Sequence, residues 1–316
     1  MKKSEKVMLE PAVEWKMEPD GYSLCDASLG PDGEVCLLLA SSIPDLIEDS
    51  FSPTRTAEAI TYKALFVKDG EWSETTIPKQ KWNYHFLQPL GEEYLLLVCA
   101  RSINYGDGRV DDNARVFDRQ GNFIRSFCLG DGIEHLYTTG NGKIWTGYFD
   151  EGIFGNFGWD DPIGRDGLIC WDAFGEIVEK HEQPKNHFIS DCYALNVVAD
   201  DEVWFYFYTD FQIGKRRNGK TKYFIPNING ATAFAIHGDL LLINGGYSGN
   251  DRFYLFEKNA FRYRRLKEIV FVNSAGQKLK PLFTSTRGSM ILLQCESSSY
   301  VFELKNLVPD HQSVDR

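Results

Sequence analysis

The chain has 316 residues, with 45 Asp and Glu against 34 Lys and Arg, for a formal net charge of −11. Hydrophobic residues make up 43% and charged residues 25%, an ordinary globular composition that excludes general disorder and supplies a large core. The acidity argues against nucleic acid or an anionic membrane surface as partner, and no run approaches the roughly 18 apolar residues of a membrane span.

The first residues, MKKSEKVMLEPAVEW, carry lysines but lack the apolar centre of a secretion signal. Residues 12–16 alternate as a short strand. From Gly33 onward one pattern recurs: a Gly or Asp turn, then β-branched, aliphatic and aromatic residues. It reads GEVCLLLA at Gly33, GEEYLLLVCA at Gly91, GKIWTGYF at Gly142, DEVWFYFY at Asp201, GDLLLING at Gly238 and GSMILLQC at Gly288. The intervals are 58, 51, 59, 37 and 50 residues, and the short one leaves five or seven units open. A second turn follows within five of the units, at Asp69-Gly70, Gln120-Gly121, Phe174-Gly175, Asn218-Gly219 and Asn259-Ala260. Tight turns between such runs signal hairpins. Each unit therefore holds four strands, A to D.

Repeats of roughly fifty residues with four strands each predict an all-β fold, a single β-propeller of about six blades. The boundaries fall near 20–80, 81–130, 131–185, 186–226, 227–272 and 273–306, with 307–316 expected as a flexible tail. The last unit shows only three strands, so 10–18 is expected to supply the fourth and close the ring, leaving no open edge. A pair of β-sandwiches would use similar strands, but two regular turns per unit favour the propeller. The seven cysteines are spread without a CxxC pair and are expected as reduced, mostly buried thiols, consistent with a cytoplasmic location.

GNGKIWTGYFDEGIFG followed by GLICWDAFGEIV resembles the blades of bacterial sensor-type and NHL-like propellers, in which a Gly-Asn-Gly turn precedes Ile-Trp. The likeness covers about one blade well and the others in outline. It implies a fold and no activity.

In a four-stranded blade the A–B and C–D turns share one face, and the B–C and D–A connections share the other. Here the first set is tight. The B–C connections are long in three successive blades, near 41–60, 101–113 and 149–165, which places the working face there. These loops hold eleven carboxylates against four arginines (Arg55, Arg101, Arg109 and Arg165), predicting an acidic face. In the third loop Phe157 and Trp159 are expected to offer a stacking platform, with Tyr148, Asp150, Glu151, Asn156, Asp160, Asp161 and Arg165 around it. In the second loop Asp107, Arg109, Asp111 and Asp112 join the binding set. Its acids, with Asn113, also invite a calcium reading, although the spacing is not that of an EF-hand.

His85 and His135 stand six and seven residues before successive A–B turns, Glu134 adjoins the second, and Asp191 stands ten residues before its own turn. Converging on the axis, they would serve acid–base chemistry or hold a metal, an arrangement similar in outline to metal-dependent propeller lactonases and hydrolases. The basic runs KRRNGKTK and RYRRLK fall away from the acidic loops and read as charge-protected outer strands. The expectation is a non-catalytic propeller that binds a protein partner or small ligand on its long-loop face. The alternative is a metal-dependent hydrolase or lyase acting on a carbohydrate-like substrate at the channel mouth. No cofactor is predicted, though these acids and histidines are compatible with a divalent cation.

Overall fold

The structure is a computed structural model, and it describes residues 4–14, 21–48 and 50–307. Six antiparallel four-stranded blades stand in a ring, so the chain is a β-propeller. In blade 1 the strands are Ser23–Leu29, Val35–Ala40, Arg55–Lys68 and Glu71–Trp82. The B strands are apolar on both faces, because each blade packs between two others. Val35–Ala40 is buried at every position, and Val203 to Phe207 of blade 4 are buried likewise. The D strands alternate or turn polar, as in Glu71–Trp82, since they face solvent on the rim.

The ring closes as expected. Val13 and Glu14 pair antiparallel with Ser299 and Ser298 of the third strand and so form the outer strand of blade 6. Trp15 and Lys16, and the proposed tail from 308 to 316, lie outside the described residues; Leu307 ends a short 3-10 turn, Leu304–Leu307. A second tie was not foreseen. Ser4–Met8 adds to blade 5 as a fifth strand, parallel to Arg262–Val272. The blade 1 B–C loop is also shorter than expected, because Arg55–Lys68 is already strand.

The A strands line the axis and contact one another around the ring. Three of them carry a β-bulge near the B–C end: between Leu24 and Asp26, between Ile133 and His135, and between Cys192 and Ala194. An extra residue at a bulge is re-aimed out of the ladder. The re-aimed residues are Cys25, Glu134 and Tyr193.

Toward the A–B end the axis is crossed by side chains from blades 1, 2, 3, 4 and 6, which meet a backbone carbonyl of blade 5. Gln88 donates to Ser28 Oγ (2.9 Å) and Leu29 O (3.3 Å), and Thr138 donates to Pro89 O (2.6 Å). Asn196 donates to Phe234 O (2.8 Å) and Gly288 O (3.0 Å). Arg287 donates to Leu29 O, Gln88 Oε1 and Thr138 O at 3.0–3.2 Å. Tyr137 meets Ser285 across the ring at 3.0 Å. Backbone and side-chain polar groups buried here are thus satisfied by one another.

Candidate binding site at the long-loop mouth of the channel

The plug divides the axis into two mouths. On the B–C side a cavity of about 670 Å³ is lined by Asp26, His85, Glu134, His135, Tyr137 and Lys280, among others. A side cleft of about 390 Å³ shares His85, Phe86 and Glu134 with it and runs out to Phe51, Arg101, Phe149 and Glu151. So one polar well opens toward the long loops of blades 1 to 3.

Those loops form a single rigid wall. Arg101 sits at its centre, nearly buried, with a bidentate pair to Asp131 (both 2.9 Å) and a contact to Glu151 at 2.5 Å. Its guanidinium lies 4.1 Å from the Phe157 ring centre, a cation–π contact. Burial raises the Asp131 carboxyl pKa, and the adjacent Arg101 opposes that shift. Arg55 donates to Asp111 at 2.8 Å, joining loops one and two. The Trp159 indole donates to Ser102 O at 2.7 Å, joining loops two and three. Gly158, at φ +83°, passes so close to Asn104 O that a side chain could not be placed there. Gly152 packs its backbone on Asp131 and Gly132 in the same way, inside the short helix Asp150–Phe154.

This geometry corrects several expectations. Trp159 is only 7% exposed and Tyr148 is in the core, so neither offers a stacking platform. Both are spent on anchoring, Tyr148 through a 2.5 Å bond to Leu129 O. Phe157 is half-buried between Arg101 and the edge of Phe51. Asp111 is 1% exposed and occupied by Arg55 and Tyr105, and Asp112 accepts from Ser126. Asp107 pairs with Arg109, Asn113 ties backbone carbonyls, and Asp111 Oδ2 is buried with no hydrogen-bond partner. Asp161 pairs with Arg165. Asp150 and Asp160 are exposed, and Glu151 and Asn156 are half-buried. Each loop arginine is thus matched by an acid.

The proposed catalytic set is brought together only in part. His85, Glu134 and His135 share the cavity, but Asp191 does not line it. His85 Nδ1 accepts the Ala100 N–H at 3.1 Å, and burial, with Arg101 nearby, holds its pKa down to about 4. Burial also lowers the His135 pKa. Among the described residues no group of three His, Cys, Asp or Glu side chains is placed to hold a metal ion. All seven cysteines are free, as expected. The basic runs are neutralised locally: Arg216 pairs with Glu179, Arg217 with Asp201, Arg264 with Glu257 and Lys267 with Glu5. No helix among the described residues is long and apolar enough to cross a membrane.

Two features of the site were missed in the sequence. One is Asp26, whose Oδ2 accepts the Leu87 N–H at 3.0 Å, yet burial pushes its pKa up to about 7. The other is a set of exposed apolar side chains on the connections of the B–C face, including Leu46, Tyr105, Phe154, Tyr208, Tyr247 and Leu282, the last of which lines the cavity. Blades 1 to 5 and the connection into blade 6 each contribute one of these.

A model described as the YxzG family matches residues 164–302. No curated protein matches the chain. Among solved structures, the chain is similar to the Cps50 (Swd1) β-propeller domain of Myceliophteria thermophila. The match has 11% identity, a TM-score of 0.49, and covers 90% of this chain and 98% of that one. It is similar also to YCF48 bound to D1 peptide (11% identity, TM-score 0.47, 94% and 99% covered). A third similar structure is U3-55K (9% identity, TM-score 0.43, 94% and 100% covered). The propeller assignment rests on the six sheets themselves.

Proposed function

We propose that the chain is a non-catalytic binding propeller whose B–C face docks a protein partner over the channel mouth. The observation that carries this is the set of exposed apolar side chains on the face where the polar well opens. Exposed apolar groups standing singly are unremarkable, but a set gathered on one face and braced by a rigid wall is an interface pattern. The well beneath it supplies carboxylates and backbone polar groups, which give such an interface its orientation.

The test is affinity capture with three forms of the protein. Tyr247→Ser combined with Leu282→Ser should lose the partners retained by the unaltered chain. Phe174→Ser combined with Phe261→Ser alters equally exposed aromatics at C–D turns, on the other face, and should keep them. Loss in both variants, or in neither, rejects the B–C face as the docking surface.

A further inference from the structure

The part of this set on blades 4 and 5 has a chemistry of its own. The bulge between Cys192 and Ala194 turns Tyr193 out beside Tyr208, with ring centres 6.1 Å apart and planes 17° from parallel. Tyr247 stands across from them, its hydroxyl 2.9 Å from that of Tyr193 and its ring at 81° to it. Phe211 fills the base, 5.4 Å from Tyr208 and 5.9 Å from Tyr247. Tyr247 is 68% exposed and Tyr208 40%, so ring faces remain open to solvent.

Asp191 lies directly opposite Tyr208 in the ladder and acts electrostatically on the Tyr193 hydroxyl. It is half-buried and forms no ion pair among the described residues. The charges that act on it are Glu134 and Asp150, both carboxylates. Asp107, Asp111, Glu151 and Asp161 on this face each meet an arginine, and Asp191 meets none among the described residues. Negative ring faces beside an uncompensated carboxyl complement a cation.

We propose that Asp191 and the tyrosines around it receive a lysine or arginine side chain from a basic segment of the docked protein. This rests on the docking face inferred above and names the partner's chemistry. The guanidinium or ammonium would lie over the open ring faces with its charge toward Asp191, beside the third long loop and its Asp150.

The test uses a short peptide, acetyl-Gly-Arg-Gly-amide, titrated into the full chain at pH 8 and followed by NMR or calorimetry. Its citrulline counterpart has the same shape without the charge. Saturable binding of the arginine peptide, weakened roughly tenfold or more by citrulline, supports the proposal. Asp191→Asn and, separately, Tyr247→Leu should weaken the arginine peptide similarly while leaving the melting temperature unchanged or raised. Equal binding of both peptides, or no loss in either variant, overturns it. So does binding of tetramethylammonium as tight as the peptide's, since the site would then take a free cation. If Tyr247→Ser with Leu282→Ser abolishes partner capture while the arginine peptide fails to bind, the docking face stands and only the cation site falls.

Discussion

Arg287 brings a positive charge into the hub of the ring without a carboxylate to meet it among the described residues. Burial lowers its pKa, and three neutral oxygens and the Tyr137 ring hold the charge instead. Arg287→Met would leave Leu29 O, Gln88 Oε1 and Thr138 O facing an apolar side chain. Hydrogen bonds from a charged donor contribute about 1.5–3 kcal/mol each, so urea unfolding should show a loss of about 3 kcal/mol or more. Two other buried groups set opposite pH dependences. His181 is 2% exposed, and burial pushes its pKa from 6.5 down to about 4. Between those values the unfolded chain takes the extra proton, so stability falls as pH drops from about 6.5 to about 4, by about 3 kcal/mol. His181→Phe should flatten the acid limb of the stability profile. Asp26 runs the other way, because its pKa is raised from 3.8 to about 7. The folded chain keeps that proton longer, so its contribution is present at low pH and is lost as pH rises to 7. Asp26→Asn should therefore raise the melting temperature more at pH 8 than at pH 5.

At the scale of elements, the N-terminal strand Ser4–Met8 covers what would otherwise be the open edge of blade 5. Lys267 reaches Glu5 at 2.7 Å, and Val7 packs on the cluster holding Phe271 and Ile269. Deleting residues 1–8 should lower stability by about 1–3 kcal/mol, the burial of one aliphatic side chain, with the ring closure at Val13 intact. Deleting residues 1–14 should cost more, because blade 6 then loses its fourth strand; comparing the two urea midpoints separates these ties. The blades themselves were legible because each B strand is a continuous apolar run fenced by turn glycines. The closing strand was legible by bookkeeping, since blade 6 lacked one. Ser4–Met8 was not, because SEKVM has only two apolar residues and a half-exposed pattern. The three bulges were illegible too: one extra residue leaves no mark on a sequence whose partner strand lies elsewhere. That hid the re-aiming of Cys25, Glu134 and Tyr193, and with it half of the site. Trp159 and Asp111 misled for a related reason. Loop composition reads the same whether an aromatic or an acid faces solvent or a neighbouring loop.

Across the whole molecule, the hub ties together residues up to 258 positions apart. Repeat arrays that contact only their neighbours can unfold piecewise, whereas a ring with a shared centre couples every blade to every other. Tryptophan fluorescence and far-UV circular dichroism should therefore give coincident unfolding curves, despite six repeats; separated transitions would contradict this. The acidity of the molecule is likewise distributed by the ring rather than by the loops alone. Four arginines pair with acids in the loops over blades 1 to 3, while Asp191 of blade 4 stands near Glu134 and Asp150 of blade 3 with no arginine partner among the described residues.

The plug also decides traffic. A plug toward the A–B end leaves the 670 Å³ cavity its door on the B–C side, toward the long loops. A protein seated on that face would shut the door. With a partner docked as proposed, a small occupant would leave only after that lid, and its lifetime would become a property of the partner above it.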